Sequence, residues 1–135
     1  EFCRRGWLEK LIRKTRKFYA HKLAVLRRAA EETFPPEVKI NYPEGGMAAW
    51  VELPADLDAS ELLGKARDRK VVFAPSRFFY FQNPQHNAFR LCFTTVPDEQ
   101  LDKAVRILGD LLRSEVRRGK TGRKAVPVGA AVALV

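Results

Sequence analysis

The first third of the chain has a helical pattern of apolar positions. Between residues 7 and 33, apolar side chains recur at spacings of three and four, which places them on one face of an α-helix. Basic residues fill most of the remaining positions. The apolar set comprises Leu8, Leu11, Ile12, Phe18, Tyr19, Leu23, Leu26 and Ala30. The helix is predicted to end at Phe34, because the two prolines that follow cannot continue it.

Two strand-like segments follow this helix. Residues 38–42 and 47–53 are rich in β-forming side chains, and in the second segment alternation places Val51 on one face and Trp50 on the other. The turn between them ends in Gly45 and Gly46. Two strands joined by a short glycine turn indicate a β-hairpin.

A second helix is predicted by its first turn. Asp58 and Glu61 have the spacing of a capping box, in which the first side chain accepts backbone N–H groups of the new helix. The helix is expected to run to about Arg69. Residues 71–74 then have the composition of a short strand.

The remainder of the chain alternates between loop and regular structure. Residues 75–87 form a long loop rich in aromatic side chains, and residues 89–94 are strongly β-prone. Pro97 and Asp98 open a last amphipathic helix. The pattern stops at Arg118, so we expect a domain over residues 1–118 and a flexible basic and apolar tail over residues 119–135.

The order of these elements predicts an α+β fold. Helix, two strands, helix, strand, loop, strand and helix form a small, mostly antiparallel sheet that is covered on one face by helices. The long N-terminal helix has more surface than such a sheet can cover. We therefore expect part of it to pack against something else.

The net charge of +9 is concentrated at the two ends of the chain. Residues 1–30 contain ten basic and two acidic residues, residues 113–135 six and one, and residues 31–112 nine and 13. A mildly acidic middle argues against nucleic-acid binding by the domain, and the basic residues of the first helix surround it without forming one stripe. A free-standing nucleic-acid-binding module is the weaker alternative.

Cysteine and histidine usage predicts neither a disulfide scaffold nor a metal site. Cys3 and Cys92 are too few for the first, and His21 and His86 form no ligand pattern. No apolar run approaches the roughly 20 residues of a membrane span, and the basic N-terminus lacks the apolar core of a secretory signal. We therefore expect no metal, no membrane association and a reducing, cytoplasmic setting.

Arg90 is the residue most indicative of function. It lies within residues 89–94, where alternation places Arg90 on the face opposite the phenylalanines. A charge in mid-strand is costly unless it is paired or faces water. The partner is either an acid on a neighbouring strand, such as Glu52, or the carboxylate or phosphate of a ligand, which the planar guanidinium suits. From the chemistry alone, the internal pair is the commoner arrangement.

Several segments resemble, in order, motifs of the class I/II (fold type I) pyridoxal-phosphate aminotransferases. Residues 42–54, YPEGGMAAWVELP, are similar to the family's P-x-GG-x-x-x-W-x-x-LP segment. Residues 72–75 resemble its V-x-F-x-P-G-x-x-F strand and loop, although Ser76 stands where glycine is usual and Arg77 is bulky. Residues 87–94, NAFRLCFT, are similar to its N-x-x-R-L-x-F-[ST] strand.

The subgroup that these motifs resemble is the aminoadipate/kynurenine-type enzymes and the regulators that fuse a winged-helix domain to an aminotransferase-like domain. The resemblance implies a C-terminal small domain, opened by the long interdomain helix. In the family, the arginine that matches Arg90 binds the substrate's α-carboxylate, so the resemblance favours a ligand over an internal pair. Asn87 and Phe78 are further candidates for the substrate pocket.

The resemblance also implies what this chain lacks. The family's Schiff-base lysine and its phosphate-binding residues belong to a large domain that no segment here matches. We therefore expect no catalytic residue, no tightly bound pyridoxal phosphate and no activity of the chain by itself. The full-length protein would act on an amino acid and a 2-oxo acid as a homodimer. The alternative is an effector-sensing domain of a transcriptional regulator.

Overall fold

The computed structural model describes residues 6–82 and 87–122. Its elements in chain order are α1 (Trp7–Thr33), β1 (Lys39–Asn41), β2 (Ala48–Glu52), α2 (Ala59–Asp68), β3 (Ala74–Pro75), a 3₁₀ turn (Ser76–Phe78), β4 (Ala88–Cys92) and α3 (Asp98–Gly122). No helix in these two ranges is both long and apolar enough to cross a membrane.

The strands form one antiparallel sheet in the order β1-β2-β4-β3. The predicted hairpin is present, since Ile40 pairs with Val51 across β1 and β2. Gly46 in its turn has a φ of 98°, a conformation that L side chains rarely adopt. The α+β fold predicted from the order of elements is therefore confirmed.

The sheet buries one face and leaves the other partly open. Val51 and Phe89 are fully buried, and Phe89 stacks on Phe73 with ring centroids 4.1 Å apart. The alternate residues of the central strands, Trp50 on β2 and Arg90 on β4, are only half-buried. We call this second side of the sheet the open face. It also includes the residues of β1 and β3 that pair with the open-face residues of β2 and β4.

The helices cover the buried face, and α1 does so with its second half only. Leu26 and Ala29 are completely buried where α1 meets α3. The two helices approach closely at Gly109, where an added Cβ would lie 2.5 Å from the Thr33 hydroxyl oxygen. Among the residues that the structure describes, none buries the first half of α1 in this way, in line with the excess helical surface expected from the sequence.

The predicted cap of α2 is present. The Asp58 carboxylate accepts the backbone N–H groups of Ser60 and Glu61 at 2.6 and 3.3 Å. The strand predicted at residues 71–74 is wrong by three positions, because Val71 donates its N–H to the carbonyl of Ala66 and completes the end of α2. Pairing with β4 begins only at Ala74.

The domain boundary predicted at residue 118 stays a prediction, but the position falls inside a helix. Helix α3 continues to Gly122, since Thr121 donates its hydroxyl to the carbonyl of Arg117 and Lys120 forms an ion pair with Glu37. Residues 119–122 therefore belong to the helix and not to a flexible tail. The rest of the predicted tail, residues 123–135, lies outside the described residues.

Candidate functional site

The pairing register of the strands determines which residues of the open face lie beside Arg90. Arg90 is the cross-strand partner of Trp50 on β2 and of Ala74 on β3. Directly paired residues of an antiparallel sheet project from the same side. The guanidinium therefore belongs to a surface that has an indole on one side and a single methyl group on the other.

Arg90 forms no ion pair with Glu52. Glu52 pairs with Ala88, one row away, and its carboxylate accepts a hydrogen bond of 2.9 Å from the side-chain amide of Asn41. Within residues 6–82 and 87–122, Arg90 makes no hydrogen bond or ion pair. The guanidinium is thus a half-buried cation that is not neutralised by the part of the chain described.

The aromatic segment after β3 bends over this face. The ring of Phe79 meets that of Trp50 edge-on, with centroids 5.9 Å apart and planes at 73°. Trp50 and Phe79 were not singled out as site residues in the sequence. Alternation alone places Trp50 on the correct face, but only the strand register brings it beside Arg90.

The two other candidates from the sequence have different surroundings. Phe78 is 63% exposed, and its ring lies beneath the guanidinium of Arg77 at 5.0 Å. Asn87 exchanges backbone and side-chain hydrogen bonds with Leu53, donating its amide to the Leu53 carbonyl at 3.2 Å. Asn87 also lines a shallow cavity of about 360 Å³, together with residues 55–58 of the loop before α2.

The histidine and the cysteine in the described ranges, His21 and Cys92, contact other side chains of the chain. The imidazole of His21 lies 2.5 Å from the Asp98 carboxylate, and the Cys92 sulfur lies 3.7 Å from the Thr94 hydroxyl. In the described ranges, no three His, Cys, Asp or Glu side chains form a group that could hold a metal. Cys3 and His86 lie outside the described residues.

The chain is similar in sequence to aminotransferases over most of its length. It is 34% identical over 113 residues to an aromatic-amino-acid aminotransferase of Thermococcus litoralis and to a 2-aminoadipate transaminase of Thermus thermophilus. These alignments cover 84% of this chain and 27% and 28% of the two relatives. An uncharacterized HTH-type transcriptional regulator of Escherichia coli is 30% identical over 112 residues, which is 76% of this chain and 24% of the regulator. No protein-family model matches the chain.

Solved aminotransferase structures have the same fold. A multiple-substrate aminotransferase of Thermococcus profundus superimposes with a TM-score of 0.82 at 32% identity, over 87% of this chain and 29% of that one. The α-aminoadipate aminotransferase of Thermus thermophilus, in complex with N-(5'-phosphopyridoxyl)-L-leucine, gives 0.78 at 33% identity, over 84% and 29%. The chain therefore spans less than a third of the length of these relatives.

Proposed function

Because this chain belongs to the aminotransferase family and has the fold of its C-terminal small domain, we propose that Arg90 binds the α-carboxylate of an amino-acid substrate. The rest of the active site would be supplied by a large domain of the same longer protein. The observation that carries the proposal is the half-buried guanidinium on the open face, which has no acidic partner among the described residues.

The geometry of a guanidinium explains what Arg90 would do. Two parallel N–H groups can hold both oxygens of a carboxylate, which fixes the position and the rotation of the bound amino acid. The rotation matters because it decides which bond at the substrate's Cα is aligned for cleavage. Trp50 and Phe79 would cover the same pocket and exclude water, which strengthens the ion pair.

The described residues fit the substrate and not the cofactor. Pyridoxal phosphate would supply the electron sink for the carbanion formed at the substrate's Cα. Its phosphate requires hydrogen-bond donors, and its aldehyde requires a lysine. The lysine on the open face of the described sheet is Lys39, which lies on the edge strand and is paired with Glu52. We therefore assign no step of the cofactor chemistry to this chain and propose that it is inactive by itself.

The proposed large domain has a place to bind. Trp7, Leu11, Ile12 and Phe18 on the first half of α1 are each at least 40% exposed, and they continue the stripe that buries Leu26 further along. A continuous apolar stripe that is covered at one end only indicates a partner for the other end. A large domain in this position would hold the sheet, and with it Arg90, against the cofactor site.

The test is the substitution of Arg90 in the full-length protein. We expect Arg90→Ala to weaken amino-acid binding by about 100-fold or more, because a charge-assisted bidentate contact is lost in a partly desolvated site. The visible absorbance of the bound cofactor should stay as it is in the unaltered protein. Arg90→Lys should recover only part of the affinity, since an ammonium group cannot form the fork. Unchanged affinity in Arg90→Ala would contradict the proposal.

A second function is supported by the regulator similarity. In that case Arg90 would bind the carboxylate of an effector without turnover, in a protein that also has a DNA-binding domain. The coding sequence upstream of residue 1 distinguishes the two functions, because a helix-turn-helix segment ahead of the large domain would favour the regulator. For either function we propose a cytoplasmic homodimer.

A further inference from the structure

The first half of α1 has a broad basic face. Residues 7–20 contain five basic side chains and one acid, Glu9, and all six are exposed. At about 3.6 residues per turn, the five basic side chains fall within an arc of about 160°, on the side of α1 opposite to its buried residues. In the folded helix they therefore share one side, which we call the basic face. Its members are Lys10, Arg13, Lys14, Arg16 and Lys17.

The chain as described neutralises none of these five cations. Within residues 6–82 and 87–122, their side chains form no hydrogen bond, ion pair or ring contact. The basic side chains of the second half of α1 differ, because each has a partner in the chain. His21 and Lys22 contact Asp98, Arg28 contacts Asp102, and Arg27 lies over the ring of Tyr42. The uncompensated positive charge of α1 is therefore confined to its first half.

The density of this charge fits a polyanion. The basic face extends over residues 10–17, which span about 10 Å along the helix axis. Duplex DNA carries one negative charge per about 1.7 Å, or about six in the same length. Protein surfaces usually intersperse both signs, so few of them offer acids at that density. The face is also a local feature, since residues 31–112 contain more acidic than basic side chains.

The position of the apolar stripe favours a partner that is recognised by charge alone. The exposed apolar residues of α1 lie on the other side of the helix, in the direction of its buried residues. A large domain that covers this stripe would leave the basic face in contact with solvent. A membrane surface would instead require the stripe and the basic face together.

We propose that the basic face of α1 binds the phosphate backbone of double-stranded DNA without reading its sequence. The lysines and arginines would replace counterions that are condensed on the duplex, and the release of these ions favours binding. Contacts to phosphates hold and orient the protein but do not distinguish base pairs. This inference is independent of Arg90, which lies on the sheet.

The experiment measures binding of the full-length protein to two labelled duplexes of unrelated sequence, by fluorescence anisotropy at a series of salt concentrations. A basic-face variant combines Lys10→Gln, Arg13→Gln and Lys17→Gln. We expect both duplexes to be weakened equally, by about 10-fold or more at low salt, and the slope of log affinity against log salt to become shallower by about 2 to 3.

A control variant removes the same number of charges from exposed positions on β1, α2 and α3. It combines Lys39→Gln, Arg67→Gln and Lys103→Gln. We expect it to change the slope by less than about 1, because these residues make no phosphate contact. A DNA-binding domain elsewhere in the protein would contribute equally to every variant, so the comparison holds for an enzyme and for a regulator.

Four results would overturn the inference. Equal losses in the two variants would mean that only net charge matters, and the absence of binding by the unaltered protein at low salt would remove the partner. Binding to vesicles of anionic lipid but to neither duplex would identify a membrane surface instead. A lower Tm of the basic-face variant without any DNA binding would mean that the large domain covers this face. Amino-acid binding should stay unchanged in both variants, so each result leaves the test of Arg90 intact.

Discussion

At the scale of single residues, Lys22 is the buried charge of the described chain. Its side chain is 4% exposed, and its ammonium lies 2.6 Å from an Asp98 carboxylate oxygen and donates to the carbonyl of Val96 at 2.5 Å. Lys22→Ala removes this donor and the packing of the buried stem. We expect the free energy of unfolding to fall by about 2–3 kcal/mol, as measured by urea denaturation.

His21→Ala is the matched control for Lys22→Ala. The imidazole of His21 contacts the other oxygen of the same Asp98 carboxylate, but the His21 side chain is 62% exposed. Exposed ion pairs contribute little, because water solvates both partners and salt screens them. Equal losses for the two variants would show that burial of the Lys22 ammonium does not decide its contribution.

The sequence predicts which face of its own strand a residue lies on, but it does not predict which residues of the neighbouring strands lie beside it. Alternation placed Arg90 on the face opposite Phe89, and the structure agrees. The neighbours of Arg90 follow from strand register, which a single strand's pattern does not contain. The aromatic loop offered several candidates, and only the fold brings Phe79 and not Phe78 against Trp50.

At the scale of elements, the close crossing of α1 and α3 depends on a glycine, Gly109, which has no side chain. An added Cβ at Gly109 would lie 2.6 Å from the Thr33 Cβ and 2.9 Å from its carbonyl oxygen. Such contacts force the helices apart, and neither atom is the movable end of a long side chain. Gly109→Ala should therefore destabilise the chain by about 1–3 kcal/mol, although alanine has the higher helix propensity.

Gly64 in α2 provides the opposite case. Apart from the adjoining residues and the backbone of α2 itself, no atom of the described residues lies within 4 Å of an added Cβ there. Gly64→Ala should stabilise the chain by up to about 1 kcal/mol, through propensity and the lower entropy of the unfolded chain. Thermal unfolding of both variants tests the argument, and a loss of stability in Gly64→Ala would show that propensity is not the governing term in α2.

Element boundaries were predicted best where a side chain defines them. The prolines after Phe34 and the cap at Asp58 mark their helix ends locally, and the structure has them as predicted. The end of α2 near Arg69 is as predicted, but the start of the next strand is not, because Lys70 adopts the left-handed conformation (φ 64°) that glycine usually supplies and Val71 still bonds to α2. The last turn of α3 depends on Lys120 reaching Glu37, a contact 83 residues apart in sequence.

At the scale of the whole molecule, ion pairs join α1 and the loop after it to α3, and they make stability depend on pH. The pKa values of Asp98, Asp102 and Glu37 are lowered in the folded chain, first by hydrogen bonds from Lys22, Arg106 and Lys120 respectively. A carboxyl group with a lowered folded pKa contributes stability above its unfolded pKa, near 4, and loses it as pH falls through the folded value.

We therefore expect the urea midpoint to be nearly constant around neutral pH and to fall below about pH 4. Asp98→Asn removes one of the three groups, so its decline between pH 4 and pH 2 should be shallower than that of the unaltered chain. A midpoint that rises on acidification in this range would contradict the assignment of these three carboxylates as stabilising partners.

The exposed apolar stripe on the first half of α1 should control association of the 135-residue chain. Leu11 and Ile12 are 52% and 40% exposed, and a stripe of this kind is buried by self-association when no other partner is present. Leu11→Glu places a charge on the stripe, whereas Lys17→Gln makes the same change of one unit in net charge on the opposite side of α1. Sedimentation equilibrium should show concentration-dependent association that Leu11→Glu abolishes and Lys17→Gln retains. A chain that stays monomeric at millimolar concentration would mean that the stripe is no interface, and the proposed contact with a large domain would lose its main support.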